Sequence, residues 1–118
     1  MKRQKKILIV ERHDVVRDLL KEGVVRFSGY EEKNVIAVGS GVEGFKALHN
    51  NDIDLVITCL GLEIPGQAYA LARQAGDIPV ILITGAPDEI DKRSFVHVIY
   101  KPFDIALVVQ VIIETIGY

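Results

Sequence analysis

Four chemically capable side chains stand at the ends of short apolar segments of the sequence. They are Glu11, Cys59, Thr84 and Lys101. A carboxylate can bind a hard cation, a thiol can act as a nucleophile, and an ammonium group can neutralise a phosphate. No Ser/His/Asp set, Cys/His pair or glycine-rich phosphate loop accompanies these residues. The sequence therefore predicts neither an enzyme of those classes nor a bound cofactor.

The histidines and the cysteine narrow the chemistry further. His13, His49 and His97 are not spaced as metal ligands, so we expect all three to be solvated. Cys59 is the only cysteine, which excludes an intramolecular disulfide and is typical of a cytoplasmic protein.

Length and composition predict one globular domain over residues 1–118. The chain is 49% hydrophobic and 25% charged, which excludes a disordered protein. Its net charge of −2 and its lack of tryptophan argue against a nucleic-acid surface. No apolar run is long enough to span a membrane, and residues 7–10 are too short for the core of a signal peptide.

The elements that must position these residues alternate between strands and helices. Short apolar runs predict strands over residues 7–10, 35–38, 54–58, 79–84 and 96–100. Helical spacing predicts helices over residues 14–27, 66–74 and 104–116. A capping box, Ser40 and Glu43, predicts a helix that ends near residue 50, and Pro87 suits the first turn of another. The apolar residues of the first helix predict its buried face: Val16, Leu19, Leu20, Val24 and Phe27.

Five such β-α units predict a three-layer, doubly wound α/β fold. Strands that are apolar throughout are buried on both faces, as in a parallel sheet covered by helices. The length favours a five-stranded, flavodoxin-like sheet of order 2-1-3-4-5. In such sheets the functional site lies at the carboxyl ends of the strands, where the four residues would meet.

Four segments, in order and at these separations, resemble the receiver domain of two-component response regulators. They are ILIVERHDVVRDLL (residues 7–20), DLVITC (54–59), PVILITG (79–85) and KPF (101–103). The resemblance covers nearly the whole chain and implies cytoplasmic signal transduction through protein partners. A flavodoxin-like enzyme is an alternative with the same fold, but no phosphate loop for a flavin follows the first strand.

The resemblance also implies a phosphorylation site, of which this chain keeps only part. In the family, two acidic residues and an Asp hold a divalent cation, the Asp accepts the phosphoryl group, and a Thr and a Lys contact its oxygens. Thr84 and Lys101 match, and Glu11 stands at the first acidic position. Arg12 replaces the second acidic residue, and Cys59 replaces the acceptor. One negative and two positive charges then remain, which predicts no metal site and no phosphoacceptor.

Several arrangements of this vestigial site are open from sequence. Cys59 is either a small buried hydrophobe or a redox-sensitive thiolate. Arg12 either forms a surface ion pair with Asp14 or Glu63, or it fills the vacated metal site and pairs with Glu11. We expect Lys101 to pair with Glu11 and Thr84 to keep only a local hydrogen bond. Alternatively, Glu63 mimics a phosphoryl charge by reaching Lys101.

The resemblance extends to the output side of the domain. Thr84 is a switch position in the family, and the aromatic switch residue is here Val98, with Tyr100 on the same side of the strand. The Lys101–Pro102 peptide bond matches a family position that is usually cis.

The last helix predicts an interaction face. Its core arc comprises Ile105, Val108, Val109, Ile112 and Ile116, whereas Leu107 and Val111 lie outside that arc and suggest a contact surface.

The leading interpretation is a receiver domain that binds a protein partner or a second copy without phosphorylation. A fused output domain outside this chain is compatible with it. The alternative is an active receiver phosphorylated at an unconventional residue.

Overall fold

The five predicted strands form one parallel sheet of order β2-β1-β3-β4-β5. The structure is a computed structural model that describes residues 4–86 and 90–117. The strands are β1 (Ile7–Val10), β2 (Val35–Val38), β3 (Leu55–Thr58), β4 (Val80–Thr84) and β5 (His97–Tyr100). The predicted fold class and strand order are confirmed.

Four α-helices connect and cover the strands within the described residues. They are α1 (Asp14–Ser28), α2 (Gly41–Asn50), α3 (Gln67–Ala75) and α4 (Ile105–Ile116). Gly29 ends α1 in the left-handed conformation, with φ of 82°. The side chains of Ser40 and Asp104 cap α2 and α4 by accepting from backbone N–H groups in the first turns. The predicted cap by Ser40 is confirmed, but the Glu43 carboxylate accepts from the Ser40 hydroxyl and not from a backbone N–H as the capping box predicts.

The connection between β4 and β5 differs from the predicted helix. Pro87, where that helix was expected to begin, lies outside the described residues together with residues 88 and 89. The described part of this connection contains a single 3-10 turn, Lys92–Ser94, which the Asp91 side chain caps. Phe95 instead packs its ring against Tyr69, with ring centroids 5.4 Å apart.

Side chains alternate between two hydrophobic clusters, one on each face of the sheet. Ile7 and Ile9 belong to the cluster under α1 and α4, whereas Leu8 and Val10 belong to the cluster under α2 and α3. β1 and β3 are buried along their whole length. This rigid centre holds the carboxyl ends of the strands in fixed positions. None of the described helices combines the length and the apolar character needed to cross a bilayer.

The buried face of α1 is rotated from the predicted one. Leu19 and Phe27 are 54% and 58% exposed, and the buried residues are Leu20, Gly23, Val24 and Ser28. The cause is the close approach of α4. A Cβ added at Gly23 would lie only 2.2 Å from Cγ1 of Ile105, so the contact between the helices centres on Gly23. Leu19 and Phe27 are thereby turned outward.

The predicted exposure of Val111 is wrong. Val111 is only 8% exposed and belongs to the hydrophobic cluster under α1 and α4. It lies beside β5, at the bottom of a groove of about 440 Å³ between that strand and α4. Leu107, one turn earlier, lines the same groove and is 46% exposed. The core arc of α4 is therefore wider than its sequence pattern indicated.

Candidate functional site

The carboxyl ends of four strands bring Glu11, Cys59, Thr84 and Lys101 to one edge of the sheet. Each residue ends its strand or directly follows it. The register aligns Val10 with Thr58, and Thr84 with Tyr100. Because parallel strands point the same way, the sequence-predicted cluster forms here as expected.

Glu11 is the buried charge of the site. It is 1% exposed, and its Oε1 accepts a hydrogen bond from the backbone N–H of His13 at 3.3 Å. Lys101 Nζ lies 4.0 Å from the same oxygen, and about a third of the Lys101 side chain is exposed. A buried carboxylate is costly unless it is paired and hydrogen-bonded. The predicted pairing of Lys101 with Glu11 is confirmed.

Cys59 carries a protonated thiol. The residue is 3% exposed, and burial is the main reason that its pKa rises to about 12. A hydrogen bond from the thiol to Glu11 and the charge of that carboxylate raise the pKa further. The backbone N–H of Arg12 and the charge of Lys101 act in the opposite direction without offsetting burial. The geometry favours the inert thiol over the thiolate sensor, because only the thiolate is a strong nucleophile.

The side chain of Arg12 takes neither of its predicted places. Arg12 is exposed, and its guanidinium has no ion pair among the residues that the structure describes. Asp14 pairs with Arg17, and Glu11 pairs with Lys101. Glu11 is buried, whereas the neighbouring Arg12 is exposed.

Arg17, which the sequence reasoning missed, takes a place beside the site. Its guanidinium donates to the carbonyl oxygen of Glu11 at 3.1 Å and pairs with Asp14 at 2.5 Å. A Cβ added at Gly39 would lie 2.6 Å from Nη1 of Arg17, so this glycine leaves room for the guanidinium. Arg17 thus joins the ends of β1 and β2 to α1. The only sequence signal was its spacing of three residues from Asp14.

The predicted reach of Glu63 to Lys101 is wrong. Its carboxylate accepts from the backbone N–H groups of Gly41 at 2.8 Å and Val42 at 3.4 Å, at the N-terminus of α2. The hydrogen bond from Gly41 is the main reason that the pKa of Glu63 is lowered. Free N–H groups and the helix dipole both favour a carboxylate at this point. Gln67 closes the same loop, since its Oε1 accepts from the Ile64 N–H at 3.1 Å.

The switch positions that the resemblance implies lie on β4 and β5. Thr84 is buried, and its Oγ1 accepts from the Ala86 N–H at 3.0 Å, so the predicted local hydrogen bond is confirmed. Val98 packs partly buried in the cluster under α2 and α3. Tyr100 lies beside Thr84 in the register but is 41% exposed. The Lys101–Pro102 bond is cis, as the resemblance implied.

The donor set does not fit the divalent cation that the resemblance implies. Hard cations prefer several oxygen ligands. Here a single carboxylate, Glu11, faces the site, and it is engaged by Lys101 and the Cys59 thiol. Among the described residues, no group of three or more His, Cys, Asp or Glu side chains is arranged to hold a metal.

Known structures share this fold at low sequence identity. No family model and no curated protein matches the sequence. The chain is similar to the signal receiver domain of an HD domain-containing protein from Pseudomonas fluorescens Pf-5, with 20% identity over 96% of this chain and 94% of that chain and a TM-score of 0.82. It is also similar to the response regulator TrrA from Thermotoga maritima in complex with Mg(2+)-BeF, with 24% identity over 96% and 100% of the two chains and a TM-score of 0.80.

A third similar structure is a CheY-like response regulator receiver domain from Methanospirillum hungatei JF-1. It shares 22% identity over 95% of this chain and 93% of that chain, with a TM-score of 0.81. These likenesses establish the CheY-like receiver fold for this chain.

Proposed function

We propose that this chain is a cytoplasmic receiver domain of two-component signal transduction that acts without phosphorylation, as a protein-interaction module. The observation that carries the proposal is the Cys59 thiol. It directly follows β3, where the resemblance to receiver domains implies the phosphoacceptor, and it is protonated and hydrogen-bonded to Glu11. A neutral thiol at a buried strand end offers no carboxylate oxygen to a phosphoryl donor.

The charges around Cys59 support the same proposal. Phosphoryl transfer relies on cations that neutralise charge on the transferred group. The Lys101 ammonium lies 4.0 Å from Glu11, and the exposed Arg12 replaces a second carboxylate. A divalent cation would therefore have to displace Lys101 to reach one carboxylate.

The switch positions support a fixed conformation. A ligand shifts an equilibrium only through its different affinity for two states. Thr84 is held by its bond to Ala86, and Val98 has no aromatic ring to move. Regulation would then come from a partner or from protein abundance. Leu107 and its groove beside β5 are candidates for the contact surface.

The proposal is tested with a phosphoryl mimic. We expect Mg²⁺ with beryllofluoride to leave the amide NMR spectrum of the wild-type protein unchanged, because both the acceptor and the cation ligands are missing. Thermotoga maritima TrrA, whose structure contains Mg(2+)-BeF, is the positive control. Saturable, Mg²⁺-dependent shifts centred on Thr84 and Lys101 would instead establish an active receiver with an unconventional acceptor.

A further inference from the structure

The outer edge of β5 is open for strand pairing. β5 is the last strand of the sheet and pairs only with β4 in the described part of the chain. The Lys101 N–H donates to the Thr84 carbonyl at 2.8 Å. Every second residue of a parallel strand bonds to the same neighbour, so the Ile99 amide also faces β4. The amides of Val98 and Tyr100 therefore face the open edge. Just before the strand, the Val96 N–H donates to the Val80 carbonyl at 2.9 Å and is not free.

β5 is short, but it carries none of the charged residues or prolines that often prevent edge strands from pairing. Residues 95–100 read FVHVIY and contain no Lys, Arg, Asp, Glu or Pro. Edge strands are ordinarily protected by such residues or by bulges and coverage. Val96 is 53% exposed and Tyr100 is 41% exposed, and both lie on the same side of the strand as Val98. An incoming strand would find both free backbone groups and an apolar strip.

The charged residues that flank β5 favour an antiparallel over a parallel incoming strand. Lys92, which is exposed, precedes β5, and the exposed Asp104 follows it. Asp91 and Arg93 are paired with each other and contribute little net charge. An antiparallel copy of the same edge places Lys92 of each chain towards Asp104 of the other, whereas a parallel copy aligns like charges. The apolar strip is matched in the same way, since Val96, Val98 and Tyr100 meet the same three residues.

We propose that β5 pairs in antiparallel fashion with β5 of a second copy of this chain, so that two sheets join into one of ten strands. This inference rests on the proposed function in that it names the partner of the interaction module. The two-fold axis passes near Val98 and Ile99, and the Leu107 side chains of the two α4 helices flank it. An interface this small belongs to the weak, transient class, below about 1,200 Å² of buried surface.

Sedimentation equilibrium of the wild-type chain, from about 5 to about 500 µM, tests the association. We expect a monomer–dimer equilibrium whose dissociation constant rises about tenfold or more in the Val96→Lys/Tyr100→Lys variant, because like charges then meet across the axis. Val42→Lys and Leu19→Lys are matched controls, since Val42 and Leu19 are 50% and 54% exposed on other surfaces. Neither control should change the equilibrium.

Amide hydrogen exchange of the wild-type protein locates the contact without any substitution. The Val98 and Tyr100 amides should gain protection as concentration rises, whereas the Ile99 amide should be protected throughout. A wild-type chain that stays monomeric, or a dimer insensitive to the double substitution and without this protection, overturns the pairing. Neither outcome bears on the response to Mg²⁺ and beryllofluoride, so failure of the pairing and failure of the proposed function are distinguishable.

Discussion

At the scale of single residues, one ion pair and one neutral thiol compensate the buried Glu11 carboxylate. The Glu11 carboxylate is satisfied by Lys101, the His13 N–H and the Cys59 thiol. Each partner removes part of the cost of burying that charge. The arrangement is therefore stable without a cation, and its chemistry depends on whether the thiol can ionise.

Cys59 is expected to resist alkylation in the folded protein. Its pKa rises from 9.0 to about 12, so the reactive thiolate is about a thousandfold scarcer at neutral pH than for an ordinary cysteine. Iodoacetamide labelling between about pH 6 and about pH 9 should be slow. The same protein in guanidinium chloride is the control and should react readily. Rapid labelling of the folded protein at pH 6 would establish a thiolate sensor instead.

Replacing Cys59 with Asp is expected to destabilise the protein, because a second carboxylate is then buried beside Glu11. The loss should be about 2 to 4 kcal/mol at neutral pH. The added group would have a raised pKa, so its neutral form is favoured in the folded state. The loss should therefore shrink as the pH falls towards about 4. Cys59→Ser, which adds no charge, is the control in urea unfolding, and an equal, pH-independent loss in both variants would contradict the argument.

At the scale of elements, the β3–α3 loop is held to the N-terminus of α2 by Glu63. Glu63→Gln should lower the melting temperature at neutral pH, because a neutral amide accepts more weakly from the Gly41 and Val42 N–H groups. The pKa of Glu63 is lowered on folding, so its contribution is present above the unfolded pKa and is lost as the pH falls. The difference between variant and wild type should therefore narrow below about pH 4.5.

Glu22→Gln is the matched control for that measurement. Glu22 is exposed on α1, and its removal should leave the melting temperature nearly unchanged at either pH. A Glu63→Gln variant as stable as wild type at neutral pH would show that the loop does not depend on this contact.

The last helix offers a second test, because α4 carries two apolar side chains of opposite environment. Val111→Ala should cost about 2 kcal/mol, since Val111 is buried in the core. Leu107→Ala should change stability by less than about 0.5 kcal/mol, since Leu107 is 46% exposed. Denaturant titrations of both variants check the assignment, and equal losses would place Leu107 in the core as well.

The features that could not be predicted from the sequence are contacts between elements. Apolar runs were sufficient to locate all five strands, of which β1, β3 and β4 are buried along their whole length. The pairing of Lys101 with Glu11 followed from charge and from the convergence of strand ends. The capping of α2 by Glu63 could not be predicted, because it depends on where the β3–α3 loop passes. The exposure of Leu19 could not be predicted either, because it depends on the packing of Ile105 against Gly23.

At the scale of the whole molecule, the receiver fold brings Glu11, Thr84 and Lys101 to one edge of the sheet, where Arg12 and Cys59 supply no carboxylate. The strand order and register bring four strand ends together. Thr84 and Lys101 lie at two of these ends. The two departures from the pattern that the resemblance implies are Arg12 and Cys59. Cation binding should therefore be recoverable by substitution at these two positions, without any change in the core.

The Arg12→Asp/Cys59→Asp variant should bind Mg²⁺, since three carboxylates would then face one another at the ends of β1 and β3. Without the cation it should be less stable than wild type, because the carboxylates repel. Saturating Mg²⁺, at about a hundredfold its dissociation constant, should restore about 2.7 kcal/mol. Arg12→Asn/Cys59→Asn is the neutral control and should respond as little as wild type.

In the Mg²⁺-bound Arg12→Asp/Cys59→Asp variant, beryllofluoride should shift amides near Thr84 and Lys101 but not those of residues 95–99, because Val98 offers no aromatic ring to carry the change to the edge strand. Wild-type protein stabilised by Mg²⁺ as strongly as the double variant would contradict this account, because Glu11 would then suffice as the only carboxylate.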